Sequence, residues 1–462
     1  MAAADLLWKA VDILRGTVDA ADYKGIVLTL LYLHVLSSEF DQSRTLSERV
    51  RNPDQDPVAA LDETIDAVRR TRRDFAETFP PASALIGGVE RRRITELLTL
   101  LEDSQGATVY EDLLAEFARF EGRKGGEFHT PRSVARLLVE MLQPQQGRVY
   151  DPCCGSGGLL VQAARFAAEK GGDPAVDLAC YGQEVNVQSW QLGRMNVDMQ
   201  GRLPVELGCA DTLAQDLWPS LKADVVLANP PFNLSDWAYR ASDPRWRYGS
   251  PPLTNANFAW LQHAVEKLSD RGSAGVVLAN GSMSSKQMGE GEIRAAMLED
   301  DLISCIVALP GQLFSSTQIP ACVWFLAKDK SSQGSLGLTD RRGQTLFIDA
   351  RAMGELAGRS HRLLTSRELA EIAGAYRAWR GTGRRGEKYM DVPGFCRTAA
   401  LEEIRENQHI LVPGRYVGAA DVDRKRCAGQ PGDRLDVLAK DLIELLNRSD
   451  QLTNQLRKHL DT

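Results

Sequence analysis

The sequence has no CxxC pair and no CxxC…HxxxH spacing among its eight cysteines, which speaks against the common zinc modules and a dithiol redox motif. Its six histidines are scattered, so no histidine-based metal site is expected. Long apolar runs are also missing. GIVLTLLYLHVL at 25–36 is too short and too interrupted for a bilayer, which needs about 20 apolar residues. No secretory leader is expected either, because Asp5 and Lys9 fall where its apolar core would be. These absences together point to a cytoplasmic location, with no membrane partner and with free thiols in a reducing environment. The adjacent Cys153 and Cys154 are badly placed to bridge each other.

An excess of positive charge is lacking as well. Lys and Arg number 55 against 62 Asp and Glu, for a net charge of −7. A chain that grips nucleic acid unaided is normally basic. Local basic clusters do occur at Arg69, Arg70, Arg72 and Arg73, at Arg91 to Arg93, and at Arg245 and Arg247. The first two read more readily as solvated helix faces. If nucleic acid is the substrate, another chain should share the grip.

What is present suits a globular protein of two or three domains: 462 residues, 43% hydrophobic and 25% charged. Residues 1–120 read as a helical domain. DLLWKAVDILRG sets Leu6, Leu7, Val11 and Leu14 on one face, and Gly16 suits the helix end. DYKGIVLTLLYLHVLSSEFDQS, ITELLTLLED and YEDLLAEFARF follow with similar periods. Residues 121–395 read as a catalytic domain, and from about 149 strands and helices alternate through it. That alternation implies an open, mostly parallel α/β sheet with helices on both faces, and ligands bound at the carboxyl ends of its strands. Residues 375–395 are rich in Gly and Arg with little periodicity. Residues 396–462 read as a C-terminal region that closes in a helical tail. There Leu435, Leu438, Leu442, Leu445, Leu452 and Leu456 form a seam that wants a partner helix.

The strand tips hold the candidate chemistry. VYDPCCGSGGLL at 149–160 is a strand ending at Asp151, a turn with Gly155, Ser156, Gly157 and Gly158, and a helix start. It is not the dinucleotide fingerprint, since Leu160 stands where the last glycine would be, and no Gly-Lys-Ser/Thr makes it a P-loop. Glu184 ends the next strand, where a carboxylate binds ribose hydroxyls in nucleotide folds, and Asp211 follows the one after. Taken singly, each acid reads as a solvated loop residue. At successive tips beside a glycine turn, they suit a nucleoside. DVVLANPPFN at 224–233 is a buried strand that delivers Asn229, Pro230, Pro231 and Phe232 to its end, where two prolines stop any regular structure.

DPCCGSGG, Glu184, Asp211 and NPPF in this order resemble the S-adenosylmethionine-dependent amino-methyltransferases of DNA. GEFHTPRSVARLLVEML at 126–142 resembles that family's further cofactor-binding segment. The likeness is greatest to the modification subunits of type I restriction-modification systems, through the N-terminal helices and through IRENQHILVPGRYV at 404–417. It is weakest at 40–90 and 330–400.

The resemblance implies a Rossmann-like methyltransferase sheet and S-adenosyl-L-methionine as cofactor. It implies transfer of a methyl group to the N6 amine of adenine in DNA, with no metal. It assigns Glu127, Phe128, His129, Thr130, Pro131 and Arg132 to the cofactor, with Asp151, Gly155, Ser156, Gly157, Gly158, Glu184 and Asp211. Asn229 and the Pro230 carbonyl would accept hydrogen bonds from the adenine amine, Pro231 would stiffen the tip, and Phe232, where the family often has Tyr, would stack on a flipped base. Partners implied are DNA, a specificity subunit and a second modification subunit; whether a restriction subunit joins is open. Cys153 and Cys154 replace small residues of the motif and read as compact fillers. Protein-glutamine methylation shares the NPP-aromatic tip, but those enzymes are shorter. A non-catalytic cofactor-binding scaffold would have no use for an intact NPPF.

Overall fold

The computed structural model describes residues 3–40, 46–71, 78–102, 107–121, 130–201, 203–314, 319–332, 339–357, 361–383 and 388–419. Glu127, Phe128, His129, Arg72, Arg73 and the leucine seam of the C-terminal tail lie outside them.

Seven helices come first: α1 Ala3–Leu14, α2 Tyr23–Phe40, α3 Leu46–Arg51, α4 Pro57–Thr71, α5 Ala82–Ile86, α6 Arg91–Glu102 and α7 Ala107–Glu121. Leu6, Leu7, Val11 and Leu14 of α1 are all buried, and Gly16 turns the chain at φ 78°. The middle of α2 is apolar all round because helices cover it on every side; Val27, Leu28, Leu30, Leu31 and Leu33 have no exposed surface. Arg93 donates to the carbonyls of Ile13 and Arg15, and Arg91 to those of Asn52 and Gln55, so this basic cluster ties the helical unit together.

The sheet unit follows: α8 Arg132–Leu142, β1 Gly147–Asp151, α9 Gly158–Glu169, α10 Pro174–Asp177, β2 Leu178–Glu184, α11 Val187–Met199, β3 Val205–Cys209, β4 Ala223–Ala228, α12 Asn257–Lys267, β5 Leu268–Ala279, α13 Glu290–Glu299, β6 Ile303–Ala308, β7 Ala321–Ala327, β8 Gln344–Asp349, the small ribbon β9 Glu355–Leu356 and β10 Arg362–Leu363, α14 Ser366–Arg380, β11 Cys396–Ala400 and α15 Leu401–Glu406. The strand order is β11-β8-β6-β7-β5-β4-β1-β2-β3. The sheet is mostly parallel, as expected, with β7 and β11 running against their neighbours. A parallel neighbour needs a crossover, usually a helix, and among the described residues between β6 and β7 there is no helix. β11 lies past residue 395, so the sheet takes in part of the C-terminal region.

Two elements place the site. β1 sits between β2 and β4, where the strand order reverses, and a crevice opens at the carboxyl ends of such strands. α11, which follows β2, sends Leu192 and Met195 into the core of the helical unit. Tyr32 of α2 donates to Asp198 of α11 at 2.7 Å. The helical unit therefore rests on the helix that begins at the crevice.

Candidate functional site

β1 ends at Asp151 and the chain turns sharply through Gly155 and Gly157, at φ 52° and 75°. A side chain at Gly157 would need the left-handed conformation that glycine tolerates, and its Cβ would stand 2.9 Å from Val197 Cγ2. Gly193 on α11 is equally constrained, since a Cβ there would meet the Gly155 carbonyl oxygen at 2.8 Å. Asn196 closes the turn by donating to the Ser156 carbonyl at 2.8 Å. The loop is thus shaped by the helix packed on it.

The turn also fixes the first acid. Glu184 Oε2 accepts the Gly155 N–H at 2.9 Å, and its Oε1 accepts the Asn186 N–H at 2.8 Å. Asp211 accepts the Leu213 N–H at 2.9 Å. Asp151 is buried and accepts the Cys153 N–H at 3.0 Å; burial first, with the Glu184 charge adding, pushes its pKa up to about 7. Burial likewise holds the Cys153 and Cys154 thiols well above their usual range, which leaves them poor nucleophiles and fits the filler role.

β4 delivers Asn229 to the crevice. Its amide nitrogen lies 3.0 Å from Thr130 Oγ1, just before α8. Its Oδ1 is buried and has no hydrogen-bond partner among the described residues. An acceptor left so costs roughly 1–3 kcal/mol. After the tip, Asn233 and Asn257 bond reciprocally, N–H to Oδ1 at 3.1 Å and Nδ2 to Oδ1 at 2.9 Å, which anchors the loop to the start of α12.

A cavity of about 540 Å³ opens here, within the size range of small-molecule sites. Gly155, Ser156, Glu184, Asp211, Asn229 and Pro231 line it. Asp151, Gly157, Gly158, Pro230 and Thr130 are not in its lining. Phe232 is only 8% exposed and meets Phe314 edge-on, with centroids 5.5 Å apart at 71°. It belongs to the core of the sheet unit and does not line the cavity. Pro131 and Arg132 line a second cavity of about 600 Å³. Arg132 pairs there with Asp112 at 2.6 Å and Glu111 at 3.2 Å, and so joins α8 to α7.

Several lining residues carry no signal in the motifs. Trp237 and Asp236 come from the loop after the tip, Trp260 from α12, and Lys24, Leu114 and Ala118 from the helical unit. Trp260 could have been noticed as a large aromatic one turn inside a helix that starts at a strand-tip loop; the helical residues could not. Trp260 Nε1 is a second buried group of the lining without a partner among the described residues. Arg245 is spent internally, bonding Asp243 and the carbonyls of Thr212 and Leu213. Among the described residues no group of three or more His, Cys, Asp or Glu could hold a metal ion.

These features define an α/β enzyme fold with a cavity at the carboxyl ends of its strands, beside a buried amide oxygen. Comparison with known proteins supplies the family. The N-6 DNA Methylase model matches residues 102–425, and the HsdM N-terminal domain model matches 3–108. The HindI methylase subunit of Haemophilus influenzae, a type I restriction enzyme component, is 43% identical over 76% of this chain and 76% of its own. The MjaIX methylase subunit of Methanocaldococcus jannaschii is 30% identical over 98% of this chain and 90% of its own. A crystal structure of a type I restriction-modification methyltransferase subunit from Streptococcus thermophilus superposes with a TM-score of 0.72 at 24% identity, covering 90% of this chain and 99% of that one, and so shares the fold. The chain belongs to the N-6 DNA methylase family. Its activity is methylation of adenine N6 in DNA, as the modification subunit of a type I restriction-modification system.

Proposed function

We propose that S-adenosylmethionine is the methyl donor and that it binds in the 540 Å³ cavity between the glycine turn and the NPPF tip. The residues fit it. Gly155 and Ser156 leave a backbone wall that a ligand can approach closely, Glu184 is held where ribose hydroxyls can donate to it, and Asp211 is at hand for an adenine amine. When bound, the donor supplies an electrophilic methyl group on a sulfonium.

The chain's own part is to orient the acceptor. The lone pair of an adenine amine is delocalised into the ring, so the amine is a poor nucleophile. Asn229 Oδ1 and the Pro230 carbonyl accept from its two N–H groups. That holds the lone pair on nitrogen and aims it at the methyl; alignment matters more here than acid–base strength. Pro230 and Pro231 keep the carbonyl in place. When bound, the donor would give up its methyl by in-line displacement, leaving a thioether, and the surplus proton of the methylated amine would pass to solvent. Thr130 holds the Asn229 amide by its nitrogen and leaves the oxygen for the base. Phe232 lies behind the tip, and stacking on it requires its covered face to open.

DNA grip is shared, in this reading, with a specificity subunit and a second modification subunit, which agrees with the net charge of −7. The division into a helical domain at 1–120, a catalytic domain at 121–395 and a C-terminal region that meets the specificity subunit through its leucine seam belongs to the same proposal. The observation that carries it is the unpartnered Asn229 Oδ1 in the wall of a cavity that also presents Glu184. The test is mass spectrometry of DNA incubated with the chain, its specificity subunit and S-adenosylmethionine. N6-methyladenine that appears only when all three are present supports the proposal; its absence refutes it.

A further inference from the structure

The cavity is not built by the sheet unit alone. Lys24, in the first turn of α2, lines it together with Leu114 and Ala118 of α7. Lys24 is only 7% exposed. A lysine is rarely buried so deeply. Its place is set by close contact between α2 and the start of α11. A Cβ at Gly25 would stand 2.9 Å from the side-chain Nε2 of Gln188, so that side chain lies against α2 there, and Tyr32 bonds Asp198 further along. Asn186 and Ser189, at the beginning of α11, also line the cavity.

The charges around the cavity are uneven. Its described lining carries three carboxylates, Glu184, Asp211 and Asp236, and a single cation, Lys24. S-adenosylmethionine carries two positive groups, a sulfonium and an ammonium, and one negative group, the carboxylate of its amino-acid part. The carboxylates suit the ligand's cations and its hydroxyl and amine donors. Among the described lining residues, Lys24 is the one whose charge attracts the ligand's anion.

We propose that Lys24, supplied by the helical unit, binds the carboxylate of the methyl donor's amino-acid part; this rests on the cavity being the donor site. The helical unit then completes the cofactor site, and anything that shifts α2 on α11 weakens cofactor binding without touching the glycine turn.

Two ligands separate this from a structural role. S-adenosylhomocysteine has the carboxylate; 5′-methylthioadenosine has the same nucleoside and a thioether but no amino acid. Each is titrated calorimetrically into the full chain and into Lys24→Met and Lys24→Arg. Lys24→Met should weaken S-adenosylhomocysteine by roughly 10- to 100-fold, the usual range for a hydrogen bond to a charged group, and leave methylthioadenosine unchanged. Lys24→Arg should keep most of the affinity. Unchanged binding of S-adenosylhomocysteine to Lys24→Met overturns the proposal, as does an equal loss for both ligands. A wild-type chain that binds neither ligand overturns the donor-site reading beneath it.

Discussion

The side-chain nitrogen of Asn229, at the end of β4, lies 3.0 Å from the hydroxyl of Thr130, a residue 99 positions earlier in the chain. The bond uses the nitrogen end of the amide, and in the proposed mechanism the oxygen meets the substrate amine. Thr130→Val keeps the shape and removes the acceptor, so the Asn229 amide loses its orientation. Methyl transfer should drop by about tenfold or more, the worth of one hydrogen bond, while S-adenosylhomocysteine affinity stays within a few-fold. Thr130→Ser should restore transfer. A tritiated-methyl assay beside calorimetry checks both.

Phe232 is a core residue as well as a candidate stacking platform. Phe232→Ala should cost about 3–5 kcal/mol of stability through the cavity it leaves, so lost activity in that variant says little about stacking. Phe232→Leu keeps bulk and removes the π-face. Its denaturant midpoint should fall far less, while transfer should fall by the ~1–3 kcal/mol that base stacking is worth. Phe232→Tyr should retain transfer. A Leu variant with full activity would confine Phe232 to packing.

At the glycine turn the contact partner is protein. Gly157→Val forces a β-branched residue into φ 75° against Val197, so the loss should appear both in S-adenosylhomocysteine affinity and in thermal stability. Gly193→Ala, on α11, should produce the same pair of losses by pressing on the Gly155 carbonyl. Calorimetric titration and thermal melts of both variants are the check; a Gly193→Ala chain indistinguishable from wild type would mean that α11 does not shape the turn.

The parts of this protein legible in its sequence are those where local chemistry dictates structure. Two prolines must end β4, so the NPPF tip is visible in the letters. Asp151, Glu184 and Asp211 fall at successive strand tips, and alternation alone ranks them. The burial of Leu6, Leu7, Val11 and Leu14 follows from helical spacing. What the letters hide depends on distant partners. Arg132 sits beside a cofactor-like segment yet is drawn to Asp112 and Glu111 on α7. Phe232 looks like an exposed ring until Phe314 covers it. Gly193 is an unremarked helix residue until the glycine turn is laid on it, and Lys24 reaches the cavity only because α2 packs on α11. One local signal is plain in the letters: Thr365 and Glu368 form a capping box that starts α14, and the helix runs on to Arg380, into the Gly- and Arg-rich stretch.

Asp151 should leave a mark on stability. Its folded pKa is near 7, against an ordinary value of 3.8. Between those values the folded chain holds a proton that the unfolded chain has lost. The contribution is full below about 3.8 and fades as pH rises through 7. Asp151→Asn removes this dependence. Urea midpoints at pH 5 and pH 8 should therefore differ more for the wild type than for the variant, and equal differences would place the carboxyl in a wetter setting than its burial indicates.

The central claim is that Asn229 orients the adenine amine and has little part in holding the cofactor. Single-turnover methyl transfer by Asn229→Ala, assembled with the specificity subunit on DNA and saturated with S-adenosylmethionine, tests it most directly. The account predicts a fall of about 10²–10³-fold or more, the scale seen when one preorganised polar group at a reacting centre is removed, with S-adenosylhomocysteine affinity within a few-fold of wild type. Transfer at the wild-type rate, or a rate loss that merely tracks lost cofactor binding, would contradict it.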